Sequence, residues 1–487
     1  MRAGTSKEPE RLDLQQLIVS PEALSCLTAD VATRLCVLPV SYVEQLNENV
    51  LIVACADASS IALRERVVKH IDHDVRLQLL NCPADQLGAA IEDSYRTRQS
   101  LEVMLTQASK CGFAETGMVL TSDYPVELVN ALLRQAARMR ASDIHLSPEL
   151  DCVQVRFRVD GVLLPYASLD KSLLNGLVVR IKIMASLDIA ETRYPQDGQF
   201  RRFIDAYPID FRVSTFPTVA GENTVLRLID KQMQLYSLSS LQLPSAMLKK
   251  LSTIVKQPEG LIVVCGPTGA GKSTTLFAML EQINHESLSI MTLEDPVEHR
   301  VAGIRQTTVY DARHWGYAQG LRALLRQDPD VLLIGEIRDA ESCEMALRAV
   351  STGHQIMTTV HANCAHTALH RLRELQASGG ALALGLVAMI AQRLVRKVCK
   401  VCSATDECCK QCHGTGYSGR QVIMELLEVT TEIKSLLVAE ADISEIQQAS
   451  GKAGFLGMRE QAMAMVAAGE TSLQEVNRVF GAEVAWK

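Results

Sequence analysis

Gly260-Leu-Ile-Val-Val-Cys-Gly-Pro-Thr-Gly-Ala-Gly-Lys-Ser-Thr-Thr275 is an apolar run that stops abruptly in glycines and then in a lysine followed by hydroxyl residues. Leu261 to Cys265 have the continuous apolar character of a strand buried on both faces of a parallel sheet. Gly266, Gly271, Lys272 and Ser273 complete the G-x4-G-K-S pattern of a phosphate-binding loop, and a helix is predicted from Thr274 to Asn284. A chance glycine-rich turn would lack that strand before it and that helix after it. Across Gly266, Pro267, Thr268, Gly269, Ala270, Gly271, Lys272, Ser273 and Thr274 the tasks divide by chemistry. Glycines let backbone N–H groups close on phosphate oxygens, Lys272 reaches the outer phosphates, Ser273 holds Mg²⁺, and the helix N-terminus favours an anion.

The remaining composition is that of an ordinary globular chain. Its 487 residues leave room for about three domains with well-buried cores. The formal net charge is −7, which gives no electrostatic reason to expect general nucleic-acid binding. The N-terminus, Met1 to Glu10, is polar and lacks the apolar core of a signal peptide, so the 14 cysteines are expected to sit in a reducing cytoplasm. The longest apolar run, Ala381 to Ala391, is shorter than the ~20 residues of a membrane-spanning helix, and no transmembrane segment is expected.

Residues 1–95 read as a small α/β module, with helical pattern from Ser20 to Leu35, a strand from Asn49 to Cys55 and a helix from Ile61 to Ile71. It carries no catalytic signature, and His70 and His73 are read as surface residues. Residues 96–123 read as a linker. A middle domain, 124–235, opens with a helix from Val126 to Met139, and from Cys152 to Val159 the alternation places Arg156 and Arg158 on one strand face. A helix from Lys171 to Leu187 follows, then strands from Ile209 to Phe216 and from Asn223 to Ile229, which carry Arg212 and Arg227. From the residues alone these four arginines are a solvated sheet face.

Residues 236–487 contain the alternating strands and helices of a nucleotide-binding α/β domain. Ser289 to Leu293 delivers Glu294 at a strand end, and Val331 to Gly335 delivers Glu336, with Arg338 and Asp339 close behind. Strand ends of that kind face the ligand crevice, so both carboxylates are expected near the phosphates, where one would orient an attacking water. The competing reading pairs Glu336 with Arg338 or has it cap a helix. Gln355 to Val360 is a third strand, bracketed by His354 and His361, and His361 is a candidate reader of the outer phosphate. Cys399, Cys402, Cys409 and Cys412 form two C-x2-C pairs suited to a tetrahedral Zn²⁺, with Cys408 and His413 as alternative ligands. Val422 to Lys487 reads as helical and amphipathic.

These strings occur in the order of a known family. SDIH (Ser142 to His145), RFRVDG (Arg156 to Gly161), PQDG (Pro195 to Gly198), DFRVST (Asp210 to Thr215) and VLRL (Val225 to Leu228) precede GPTGAGKSTT (Gly266 to Thr275). LEDPVE (Leu293 to Glu298), RQDPDVLLIGEIRD (Arg326 to Asp339), GHQIMTTVHAN (Gly353 to Asn363) and the cysteine pairs with TGYSGR (Thr415 to Arg420) follow. From Leu128 to Glu425 the chain resembles the type II secretion and type IV pilus assembly ATPases. The resemblance implies a RecA-like motor domain preceded by a smaller α/β, PAS-like domain and an N-terminal docking domain, with a cysteine insert at 399–412 and a helical tail. It implies ATP, Mg²⁺ and Zn²⁺ as ligands. It makes Glu336, Glu294 and His361 catalytic and turns Arg212 and Arg227 into phosphate-charge neutralisers. It further implies a cytoplasmic homohexamer held peripherally at the inner membrane by a platform protein and by the cytoplasmic domain of an assembly protein. The cysteine insert and N-terminal module favour the secretion or pilus-extension branch. Two departures stand out: Gln199 occupies the position after PQDG where the family usually has arginine, with Arg201 two residues on, and the spacer between the cysteine pairs is short. The first keeps a slow, nucleotide-gated scaffold as a rival, and a nucleic-acid motor of the same core fold is a third reading. The glycine and arginine repeats that would support cyclic di-GMP binding are not seen in the N-terminal module.

Overall fold

The computed structural model describes residues 14, 17–44, 49–71, 75–96, 101–109, 124–230, 237–298, 300–309, 315–402, 409 and 411–481. The chain divides into two compact units, residues 1–231 and 232–487.

In the first unit, strands β1 (Leu17–Ile18), β2 (Val37–Glu44), β3 (Asn49–Cys55) and β4 (Val75–Asn81) come from the N-terminal module, and β2-β3-β4 form a small sheet. Strands β5 (Asp143–Pro148), β6 (Cys152–Val159), β7 (Val162–Asp170), β8 (Gln196–Ile204), β9 (Tyr207–Thr218) and β10 (Gly221–Asp230) build the middle domain. Its sheet runs β1-β8-β9-β10-β5-β6-β7, so the N-terminal module donates an edge strand to it. Alternation decides the two faces. Val153, Val155 and Phe157 of β6 and Ile209, Phe211 and Val213 of β9 are buried, in one core with the helices Tyr124–Arg138 and Leu174–Met184. Arg156, Arg158 and Arg212 take the alternate positions.

Several expected boundaries move. The stretch from Ser20 to Leu35 is two helices, Pro21–Cys26 and Ala29–Leu35, because Thr28 takes an extended conformation and its hydroxyl accepts from the Val31 N–H as a second N-cap. The helix expected from Lys171 to Leu187 begins as a 3₁₀ turn and ends at Met184, with Ser186 at positive φ. Inside the stretch read as a linker, Leu101–Ala108 is a helix whose Met104 and Ala108 are buried, and the Tyr124 hydroxyl donates to the Met104 carbonyl at 2.5 Å. His70 is exposed, and His73 lies outside the described residues.

The second unit is built on β11 (Gly260–Cys265), β12 (Ile290–Glu294), β13 (Arg305–Thr308), β14 (Val331–Ile334), β15 (Gln355–Val360), β16 (Leu386–Val398) and β17 (Tyr417–Glu428). The order is β13-β12-β14-β15-β11-β16-β17, parallel throughout except for β17 against β16. The four central strands β12, β14, β15 and β11 are buried along their whole length, as their unbroken apolar runs require. Residues 422–428, read as helical, belong to β17. Val422 to Leu427 is apolar but for Glu425, and a short apolar run carries no period that separates strand from helix.

The C-terminal helices are tied to β16 by Glu475. This fully buried carboxylate accepts from Arg396 Nη2 at 2.8 Å and from Arg478 Nη2 at 2.6 Å. Burial pushes its carboxyl up, and the hydrogen bonds from Arg478 and Arg396 more than offset that and hold it below the ordinary 4.5. A lowered folded value means the contribution is present above pH 4.5 and lost as pH falls through the folded value. Glu475→Gln is therefore expected to cost about 3–5 kcal/mol at neutral pH. In thermal melts the gap between variant and wild type should close as the pH drops below 4.5.

Candidate nucleotide site and cysteine cluster

Because β11, β12, β14 and β15 are parallel, their C-terminal ends bring four segments to one edge of the sheet. Gly266 leaves β11 beside Gln392 of β16, and a Cβ on it would sit 2.7 Å from the Gln392 carbonyl oxygen, so only glycine fits. Gly271, at φ 84°, ends the loop in a left-handed turn and is the N-cap of the helix Lys272–Ile283, which has no side-chain cap. The first-turn N–H groups are therefore left facing the loop, as an anion site needs. Pro267, Thr268, Gly269, Ser273 and Thr274 are exposed, Gly271 and Lys272 are partly buried, and Ala270 is buried. Lys272 Nζ donates to the carbonyls of Gly266 at 2.9 Å and Pro267 at 3.1 Å, which places its ammonium inside the loop's curve. Burial lowers its pKa, and the Arg393 charge adds to that.

The carboxylates stand at the same edge with different surroundings. Glu294 is buried at the end of β12, accepts from the Thr292 hydroxyl at 2.5 Å and from Gln306 Nε2 at 3.0 Å, and has its pKa raised by burial. Glu336, just past β14, accepts through Oε2 from His361 Nε2 at 3.1 Å and through Oε1 from Arg338. The pair with Arg338 that the competing reading expected is thus present, and it uses a different carboxylate oxygen from the approach to His361. Arg338 also reaches Asp295 at 3.3 Å. Burial lowers the His361 pKa, and the charges of Lys272 and Arg338 add to it. Because an ionised carboxylate only accepts, Nε2 is the ring nitrogen that donates to Glu336. His354, at the other end of β15, is spent on the Ala349 carbonyl at 2.8 Å.

In the first unit, register places Gln199, Arg212, Arg227, Asp143 and Arg158 directly opposite one another across β8, β9, β10, β5 and β6. Asp143 binds Arg227 Nε through one oxygen at 3.0 Å and Arg158 Nε through the other at 3.6 Å. The Arg227 side chain stays 61% exposed, and it lines an open cleft with Gln199, Arg212, Asp197 and Ser214. Arg201 lies on the same face as Gln199 and is engaged by Asp210, Nε to Oδ1 at 2.6 Å.

Sequence reasoning passed over Asp143, Gln306, Gln392 and Arg393. Asp143 lies within a quoted string, but register alone reveals which arginines it serves. Gln392 and Arg393 sit on β16, and only its parallel pairing with β11 brings them to the loop.

The Sγ atoms of Cys399, Cys402, Cys409 and Cys412 lie within 4.8 Å of one another, and all four side chains are buried. Cys399 to Cys409 is 3.9 Å and Cys402 to Cys412 is 3.6 Å. Four sulfurs at Zn–S bond length around a tetrahedral ion stand about 3.8 Å apart, so the donor set and spacing fit Zn²⁺ and are far from a disulfide. His413, exposed, is not in that group, and Cys408 lies outside the described residues.

A family model described as "Type II/IV secretion system protein" matches residues 120–478, and an MshEN domain model matches residues 9–101. The chain is 43% identical over 360 residues to the type II secretion system protein HxcR of Pseudomonas aeruginosa, covering 73% of this chain and 77% of that protein. It is 35% identical over 494 residues to the type IV pilus assembly ATPase PilB of Thermus thermophilus, covering 94% of this chain and 54% of that one. Among solved structures, the pilus retraction motor PilT with bound ADP superposes with a TM-score of 0.51 at 26% identity, over 71% of this chain and 95% of that one. The Yersinia pseudotuberculosis ATPase DotB gives a TM-score of 0.59 at 21% identity, over 74% of this chain and 96% of that one.

Proposed function

The chain belongs to the type II/IV secretion system protein family and is an ATPase of the secretion and pilus class, and from that premise we propose that it is a ring-forming motor that hydrolyses Mg·ATP to drive pseudopilus or pilus assembly. The observation that carries the chemistry is the convergence at one sheet edge of the Lys272 loop, Glu294 and the Glu336–His361 pair. In this reading Lys272 and the loop N–H groups bind and orient the phosphates. Ser273 would hold Mg²⁺, which would supply neutralisation of the phosphate charge. Glu336, its carboxylate already gripped by Arg338 and His361, uses its remaining acceptor capacity to orient a water, while His361, its Nε2–H given to that carboxylate, holds it in place. Arg212 and Arg227 neutralise developing phosphate charge, with Arg227 held by Asp143.

Assembly as a homohexamer is part of this proposal, as is docking through residues 1–95 to an inner-membrane platform protein and to the cytoplasmic domain of an assembly protein. Among the described residues no helix is long and apolar enough to cross a membrane, so on this reading membrane contact comes through partners. Domain boundaries at 96–123 and near 235 belong to the same reading, with the middle domain turning against the motor domain during the cycle.

Glu336→Gln tests the water-orienting role. Turnover is expected to fall about 10²–10⁴-fold while ATP still binds. Hydrolysis at the wild-type rate would sink the assignment.

A further inference from the structure

Arg393 and Gln392 stand outside every role assigned so far, yet they join the two loops of the site. Strand β16 runs parallel to β11 with Ala391 opposite Cys265, so Gln392 and Arg393 continue alongside the loop as it leaves the sheet at Gly266. Gln392 is fully buried and its Nε2 donates to the Ala270 carbonyl at 2.6 Å, inside the phosphate-binding loop. Arg393 Nη1 donates to the Gln392 carbonyl at 3.2 Å, the oxygen that a Cβ on Gly266 would strike. Its Nη2 donates to the Asn363 backbone oxygen at 3.1 Å and to Asn363 Oδ1 at 3.3 Å. Asn363 is two residues beyond His361, in the turn between β15 and the helix Ala365–Glu374.

The other end of that turn is anchored as well. Glu425 of β17, itself buried, accepts from the Ala365 N–H at 2.8 Å. The turn from His361 to Ala365 therefore hangs between Glu425 on one side and Arg393 on the other. A guanidinium suits this place because its fork of N–H groups reaches the Asn363 turn and the Gln392 carbonyl of its own strand at once, while the Gln392 side chain holds the phosphate-binding loop; a lysine ammonium of the same charge does this with less directional hold.

We propose that Arg393, seated on the Gln392 carbonyl, is a positioning residue that couples the phosphate-binding loop to the turn carrying His361. Loss of the bridge leaves the loop able to bind nucleotide but lets His361 drift from Glu336, and displacement by about 1 Å is enough to cost up to ~10²-fold in turnover. The inference rests on His361 serving hydrolysis, as set out under the proposed function.

The test is a double-mutant cycle of His361→Ala and Arg393→Ala on the full chain, with turnover, KM and binding of a fluorescent ATP analogue measured for each. Arg393→Ala is expected to lower kcat about tenfold to a hundredfold with analogue affinity within about threefold of wild type. The double variant should be no worse than the more damaged single one, because both changes cut the same path. Arg393→Lys should recover part of the rate. Hydrogen exchange should quicken across residues 361–367 in Arg393→Ala but not across the other strand ends of the sheet, a readout independent of catalysis that a general loss of stability would not give. If His361→Ala turns over normally, the role of His361 fails. If His361→Ala is slow but the two losses multiply, or exchange at 361–367 is unchanged, the coupling by Arg393 is wrong. A raised KM with unchanged kcat would overturn it too, pointing to direct contact with nucleotide.

Discussion

Lys272→Ala is expected to leave a folded protein with almost no ATP turnover, down by about 10²–10³-fold, and with weakened nucleotide affinity. The reason lies in where the ammonium sits. It donates to the carbonyls of Gly266 and Pro267, so the charge is centred in the curve of the loop that leads into the uncapped N-terminus of its helix. Removing it takes away both a charge-assisted donor to phosphate and the internal tie that holds the loop's first residues over its last. The fold should survive, because Lys272 is the first residue of its helix and belongs to none of the hydrophobic cores. Unchanged thermal melting beside lost turnover is the expected pair of results, and retention of more than a tenth of the wild-type rate would contradict the placement of this lysine at the phosphates.

The second large effect is expected at the cysteine cluster. Cys399 is fully buried among its three partner thiols, and its N–H donates to the Gly416 carbonyl, so the cluster closes a turn inserted between β16 and β17. Without an ion, four thiols at this spacing have little to hold them together. Cys402→Ser combined with Cys412→Ser should abolish a zinc content of about one per chain, read by a chromogenic chelator on unfolding. It should also lower the melting temperature and make the 399–416 turn open to proteolysis. A wild-type protein that releases no zinc, or a variant that melts like wild type, would argue that the cluster is a set of reduced thiols without a structural ion.

The motor core was legible because its chemistry and its burial leave marks in short strings. An all-apolar run such as Leu261 to Cys265, bounded by glycines, reads as a central strand of a parallel sheet, and glycines followed by lysine and serine have few other uses. The same directness applied to Glu294, Glu336 and His361, each placed by the end of its own strand. What stayed hidden depends on pairing between distant strands. The row Gln199, Arg212, Arg227, Asp143 and Arg158 spans five strands, in steps of 15 residues or fewer except for Arg227 to Asp143, which are 84 apart. No local period encodes that register. Gln392 and Arg393 were missed for the same cause, since β16 lies beside β11 only because the chain returns there after more than a hundred residues. The helical reading of 422–428 failed on a different ground, because a run buried on both faces shows no alternation.

Under the proposed function, the sheet edge holding Lys272, Glu336 and His361 is completed by arginines when chains assemble into a ring. The most direct measurement is ATP hydrolysis per chain across protein concentrations, with particle mass recorded on the same samples, for wild type and for Arg227→Ala. Specific activity is expected to rise as rings form, and Arg227→Ala rings are expected to assemble and bind ATP but to turn over at least about tenfold more slowly. Activity per chain that is constant from monomer to ring, or Arg227→Ala rings as fast as wild type, would contradict it.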